Sequence, residues 1–173
     1  MIDLSIMSHD IHTKKIPTTV QCGGHTRTGA RCKRRTARTS FCYFHLNKEH
    51  HLQIKKSQIS GGGLGLWTTI ARPAKRMVAP YTGEVVHREK NDYGGDYVIQ
   101  LNNKSPFRYV DARRTNTAPG RFANMARAKD HKRNNAKLSL DYKNPNQAKV
   151  VSLQKIPANR EILTSYGNQF WKK

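Results

Sequence analysis

Cys22, Cys32, Cys42 and His45 stand in the pattern C-x9-C-x9-C-x2-H, and they hold all the thiols of the chain. Zinc takes about four thiolate or imidazole ligands in a tetrahedron, and the closing x2 spacing lets one tight turn supply two of them. The cysteine count is odd and the three are crowded together, so they make no disulfide framework and read as a structural Zn2+ site in a reducing compartment. Gly23-Gly24 and Thr28-Gly29-Ala30 would turn the chain between ligands. A module of about 25 residues buries too little core to fold alone, so the metal would supply its folding energy. His25 is a competing donor, His50-His51 lie nearby, and unpaired structural thiols are the alternative to a metal. Lys33-Arg34-Arg35, beside the ligands, suits phosphates, a localisation signal or a solvated basic loop.

A second set of residues points to small-molecule and group-transfer chemistry. The run Ser60-Gly-Gly-Gly-Leu-Gly-Leu-Trp67 follows a predicted strand. Glycines let a backbone approach a ligand closely. The run lacks the Lys-Ser/Thr of a phosphate-binding loop and the spacing of a dinucleotide fingerprint, so taken alone it reads better as a flexible hinge. Three later segments change this reading: Tyr81-Thr-Gly-Glu84; Tyr109-Val-Asp-Ala112 running through Gly120-Arg-Phe-Ala-Asn124; and Glu161-Ile-Leu-Thr-Ser-Tyr-Gly167 with Phe170-Trp171. Taken singly, Tyr81 and Tyr97 are ordinary sheet packing, Asn124 a turn cap and Phe170-Trp171 the end of a core.

In that order and at those distances the chain, over about residues 53–171, resembles the SET-domain lysine methyltransferases, which use S-adenosylmethionine. The resemblance implies cofactor contacts at Gly62, Gly63 and Leu64 of the glycine turn, at Tyr97, and at Asn124 and Met125 of Arg121-Phe-Ala-Asn-Met-Ala126. It places Tyr81 on the lysine channel and Tyr166 at the family's catalytic tyrosine. Thr164 falls where a tyrosine or phenylalanine often tunes product multiplicity. Met125 and Ala126 depart from the usual His and Ser, although position 125 can still bind through its backbone. No cysteine follows residue 42, so the post-SET zinc cluster of many relatives is absent, and Phe170 and Trp171 are expected to close the channel and cover the adenine. The pattern is most similar to compact viral members. The cysteine segment likewise resembles small Cys3His fingers appended to viral and eukaryotic proteins, Thr26-Arg-Thr-Gly29 preceding the second ligand.

These residues need a scaffold of short strands. Gln53–Lys56, Val85-Val86, Tyr97–Leu101, Arg108–Val110, Lys137–Leu140 and Lys149–Leu153 are β-prone, and they are separated by turn signals at Pro80, Gly94-Gly95, Asn102-Asn103, Pro119-Gly120, Asn144-Pro145 and Pro157. No long segment keeps a helical period, so helices should be few and short. The expected fold is mostly β: a SET-domain fold of short strands with a knotted C-terminal region, preceded by a zinc-binding module. The expected divisions are a poorly ordered tail at 1–17, the finger at 18–47 and the SET domain at 53–171, with polar residues 46–53 as a linker or short helical turn.

The chain has 173 residues, 32 Lys+Arg against 11 Asp+Glu, and a net charge of +21. Its most apolar stretches fall far short of the roughly 20 residues that a membrane span needs. The length suits one domain of roughly 100–150 residues with a small appendage. Integral membrane proteins and multidomain enzymes are therefore excluded, and the N-terminus carries no signal-peptide pattern, so secretion is not expected. The charge surplus is general, +8 over residues 1–60 and +13 over 61–173, yet Gln21 to His45 contains no acidic residue at all. Such a field attracts polyanions, which makes nucleic acid the default partner; a basic surface that only maintains solubility is the alternative.

The expected function is transfer of methyl from S-adenosylmethionine to a protein lysine, with histone as the substrate. Nucleosomal DNA would meet the basic surface, and the location would be intracellular, in a nucleus or virion. Histone tails are themselves basic, so a local acidic groove from Glu84, Asp92 and Asp96, or docking on DNA, must overcome repulsion. The alternatives are a non-catalytic nucleic-acid-binding protein with a degenerate SET scaffold, and a methyltransferase of a non-histone protein.

Overall fold

A computed structural model describes residues 19–114, 116–126 and 133–165. The N-terminal tail and the expected site residues Tyr166, Phe170 and Trp171 lie outside them, as does the end of the expected knotted region. Among the described residues the regular structure is mostly strand, as the turn punctuation predicts. In order these are β1 Val20–Gln21, β2 Arg35–Thr36, helix α1 Tyr43–His50, β3 Leu52–Lys56, β4 Leu64–Thr68, β5 Met77–Tyr81, β6 Glu84–Arg88, β7 Val98–Gln100, β8 Phe107–Asp111, a 3-10 turn Pro119–Phe122, β9 Ala136–Leu140, β10 Ala148–Ser152, β11 Arg160–Glu161 and β12 Thr164–Ser165. No described helix is long and apolar enough to cross a membrane.

The described residues form four small sheets, ordered β1-β2, β12-β9-β10-β5, β11-β4-β3 and β6-β8-β7. The pairings are antiparallel except where β12 runs parallel to β9. The main core draws Leu46 from α1, Leu52 and Ile54 from β3, Leu66 from β4, Val78 from β5, Phe122 from the 3-10 turn, Val150 from β10 and Ile162. Chain-distant strands share this core, and Tyr81 sits in a second cluster with Leu101, Val110, Ala112 and Ala148.

Three local departures from the expected elements have physical causes. Pro80, read as a turn, lies inside β5 opposite Lys149. It is tolerated there because β5 is the edge of its sheet, where a missing N–H breaks no second ladder. The glycine-rich run, read as a turn, becomes strand from Leu64 onwards, its Gly65 facing Lys55 across the β3–β4 hairpin. The polar stretch 46–53, expected as a linker or short helical turn, divides between helix α1 and the start of β3, and its Leu46 is buried in the main core. The finger also bonds backbone to backbone with the rest, Ser40 N–H to Thr117 C=O at 3.0 Å and Asn116 N–H to Arg38 C=O at 3.2 Å.

Candidate active site and metal centre

Four polar side chains converge first in the finger. The ligand atoms of Cys22, Cys32, Cys42 and His45 all lie within 4.8 Å of one another, and all four residues are buried. Zn–S bonds of about 2.3 Å place tetrahedral ligands at comparable separations, so the donor set and its size fit zinc. His45 Nδ1 sits 3.4 Å from the Cys22 sulfur and 3.3 Å from that of Cys42. Its other nitrogen, Nε2, lies 2.9 Å from the His25 carbonyl. A proton on Nε2 donated to that carbonyl leaves the Nδ1 lone pair for a metal, the usual device for fixing a ligating imidazole. The competition seen in the sequence thus resolves: His25 contributes its backbone, and neither His50 nor His51 joins the cluster.

The surroundings act on the two sulfurs in opposite directions. Backbone N–H groups of Gly24 and Cys42 donate to the Cys22 sulfur at 3.4 and 3.1 Å. Burial pushes the Cys22 thiol up. Burial pushes Cys42 up too, but hydrogen bonds from the His45 backbone and imidazole and from Cys22 outweigh it and bring that thiol down to about 6. The Cys42 hydrogen bond raises His45. A β-carbon on Gly24 would stand 2.4 Å from the His45 ring, so only glycine lets the chain pass behind the ligand.

The second site is a cavity of about 360 Å³ lined by Gly61, Gly62, Gly63, Leu64, Tyr97, Arg121, Phe122 and Asn124. Its floor is the turn between β3 and β4. Gly63 has a φ of +57°, a region that favours glycine, and a β-carbon there would meet nothing within 4 Å, so the backbone opens directly onto free space. Asn124 holds this turn from the far side: its Nδ2 donates to the Gly62 carbonyl at 3.1 Å and the Leu64 carbonyl at 3.0 Å. Both hydrogens of that amide go to the turn. The opposite anchor is Glu161, 3% exposed, whose carboxylate accepts the Ser57 hydroxyl at 2.6 Å and the Gln58 N–H at 2.7 Å. A β-carbon at position 65 would fall 2.1 Å from that carboxylate, which is why the strand carries glycine there.

The cavity wall comes from Tyr97, just before β7, and from the 3-10 turn. Tyr97 is half-exposed, and the Arg121 guanidinium lies 4.5 Å from its ring centroid and 4.9 Å from that of Phe122. Arg121 is itself fixed by donating Nε–H to the Ala112 carbonyl at 2.7 Å and Nη2–H to the Arg113 carbonyl at 3.2 Å. Those carbonyls are set by Asp111, which binds Arg113 through both its backbone N–H (2.9 Å) and its guanidinium and accepts the Tyr93 hydroxyl at 2.6 Å. Burial pushes the Asp111 carboxyl up, but Arg113 and Tyr93 outweigh it and hold it below its ordinary value.

The structure therefore brings Gly62, Gly63, Leu64, Tyr97 and Asn124 onto one cavity. Tyr81 is buried beside it, donating its hydroxyl to the Tyr97 carbonyl at 3.0 Å. Thr164 is fully buried behind Asn124; its N–H donates to the Asn124 carbonyl at 2.8 Å and its hydroxyl to the Ala123 carbonyl at 3.0 Å. Met125 is half-buried and is not among the lining residues, while Ala126 gives its N–H to the Asn134 side chain at 3.0 Å. Arg121 and Phe122 line the cavity although no role was read for them, despite their place in the same motif as Asn124.

The model of the SET domain family matches residues 63–167, more than half of the chain. The chain belongs to the SET-domain family. Among solved structures, this SET protein is similar to the methyltransferase domain of human PR domain-containing protein 2, with a TM-score of 0.53 and 15% identity over 69% of this chain and 78% of that one. At that identity the likeness speaks for the fold. No curated protein matches the sequence.

The cavity fits an S-adenosylmethionine-sized ligand. Its volume lies within the roughly 300–1,000 Å³ of small-molecule sites, and its floor is backbone that a β-carbon would fill.

Proposed function

We propose that this SET protein is an S-adenosylmethionine-dependent protein-lysine N-methyltransferase acting on histone lysines in chromatin, in a nucleus. The observation that carries the reading is the cavity itself. Gly62, Gly63, Leu64, Tyr97 and Asn124, spread over 62 positions of sequence, line one space in a chain of this family. When bound, the cofactor would supply an electrophilic methyl on a sulfonium.

The chain must present a neutral amine to it. A lysine has a pKa near 10.4, so deprotonation at pH 7 costs about 4–5 kcal/mol. Aromatic walls from Tyr81 and Tyr97 desolvate the ammonium, and a protein of net charge +21 disfavours it by repulsion. The buried Arg121 adds a fixed positive charge at the cavity itself. Rate then depends on holding nitrogen and methyl in line, which is the work of a narrow channel and a rigid turn. Tyr166 would orient the methyl through weak C–H···O contacts.

Basic tails and a basic enzyme repel, and docking on nucleosomal DNA removes the conflict. Among the acidic residues considered for a groove, Glu84 is exposed and stands 3.9 Å from Arg114, which offsets its charge.

The deciding experiment supplies methyl-labelled cofactor with histone octamer, nucleosome and cell lysate, using Tyr166→Phe as control. Label is expected on nucleosomal histone, faster than on octamer. The Tyr166→Phe protein should bind cofactor but lose at least a hundredfold in single-turnover rate. Label only in non-histone lysate proteins would redirect the substrate, and label in none would leave a scaffold that binds nucleic acid.

A further inference from the structure

We infer that the outer face of α1 is a duplex-DNA phosphate clamp built around one aromatic ring. Phe44 is 45% exposed and Tyr43 69% exposed. Phe44 packs edge-on against His45, ring centroids 5.3 Å apart, and the Tyr43 hydroxyl accepts from Gln53 Nε2 at 3.4 Å, yet both rings stay exposed, while His45 and Leu46 are what α1 buries. Two cations are gathered on the Phe44 ring: the Arg34 guanidinium and the Lys48 ammonium each lie 5.4 Å from its centroid. Lys48 is one helical turn beyond Phe44, and Arg34 comes from the acid-free stretch between Gln21 and His45. The one carboxylate of the helix, Glu49, is turned to His45 at 3.5 Å and pairs with neither cation.

The chemistry selects an anion with regularly spaced charges. Cation–π contact restrains two flexible, like-charged side chains on one ring, which free solvation would separate. Both lie within twice 5.4 Å of each other, and one strand of duplex offers a phosphate about every 3.4 Å along the axis, so both can meet phosphates of a single strand. Because the cations lie against the Phe44 ring, that ring is less available for base stacking, which favours duplex backbone over single strands, whose binding relies on open aromatic platforms. Tyr43 flanks the pair as an uncharged surface for the sugar edge. This inference deepens the docking part of the proposed function and is separable from methyl transfer, because the face belongs to α1 and not to the cavity.

The test is fluorescence anisotropy of the full chain with a labelled 25-base-pair duplex across a salt series. Arg34→Gln/Lys48→Gln is expected to weaken binding about tenfold, and to reduce the slope of log affinity against log salt by about 2, since each phosphate contact contributes about 0.9. Phe44→Leu keeps both charges and should still weaken binding about threefold. Lys104→Gln/Lys137→Gln removes equal charge elsewhere and should change binding less than twofold. Thermal melting and zinc content report that each variant is folded, and methyl transfer to a free peptide should be unchanged in all of them. Equal losses in the two double variants would overturn the inference, as would an unchanged Phe44→Leu. So would the same Arg34/Lys48 dependence at equal or higher affinity for single-stranded DNA or polyglutamate. Duplex binding that behaves as expected in a protein without methyl transfer would fault the catalytic reading and leave the clamp standing.

Discussion

Glu161 keeps a carboxylate at 3% exposure because two donors from the cavity turn reach it, and this makes it a positioning residue for the floor of the site. Hydrogen bonds to a charged group contribute about 1.5–3 kcal/mol. Glu161→Ala should therefore lower the melting temperature and, by loosening the turn, weaken cofactor binding at least tenfold in calorimetric titration; unaltered affinity would separate the turn from the site. Asp111 acts one layer further out, fixing the Arg113 and Ala112 carbonyls that hold Arg121. Its folded pKa is depressed, so its contribution to stability is complete above the unfolded value of about 3.9 and is lost as pH falls through the lower folded value. The melting-temperature difference between wild type and Asp111→Asn should be largest near pH 6 and shrink steadily below pH 4. A difference constant down to pH 2 would show that charge has no part in it.

At the scale of elements, α1 joins what the sequence divides. Cys42 is its N-cap and His45 joins the Cys3His cluster from its first turn, while Leu46 inserts into the core shared with β3, β4 and β10. Removing the metal should then loosen more than the finger. A strong thiol-compatible chelator is expected to release one zinc per chain and shift the single calorimetric transition down by several degrees. A finger melting alone, with the main transition unmoved, would show that the two are uncoupled. The Cys3His cluster was readable from sequence because the chain's three thiols and His45 stand within 24 positions, although only the fold decides between His45 and the competing His25 and His50-His51. Most strands were readable too, because their β-prone runs sit between strong turn formers. Strand β4 was hidden because Gly65 answers to a carboxylate 96 positions later, and linear pattern carries no trace of that contact. For the same reason the motif order carries no sign that the Asn124 amide is committed to the turn. Arg121 went unassigned because its burial depends on carbonyls that only the folded β8 terminus presents.

At the scale of the whole molecule, 32 basic residues against 11 acidic ones act on two equilibria with opposite sign. The compact fold concentrates a charge of +21, and self-repulsion opposes folding. Salt shortens the Debye length from about 10 Å at 0.1 M to about 3 Å at 1 M and relieves that repulsion. The free protein should therefore melt a few degrees higher in 0.5 M than in 0.05 M salt. DNA binding draws on the same field, and each phosphate neutralised releases counterions, so affinity should fall by orders of magnitude over the same range. Methyl transfer to nucleosomes would follow the binding curve, and transfer to a short peptide should be nearly flat or rise slightly as repulsion of a basic tail is screened. Melting scans, anisotropy and initial rates in one salt series test all three. Peptide and nucleosome rates falling together would mean that salt acts on the catalytic site, and the field would then have no role in choosing the substrate.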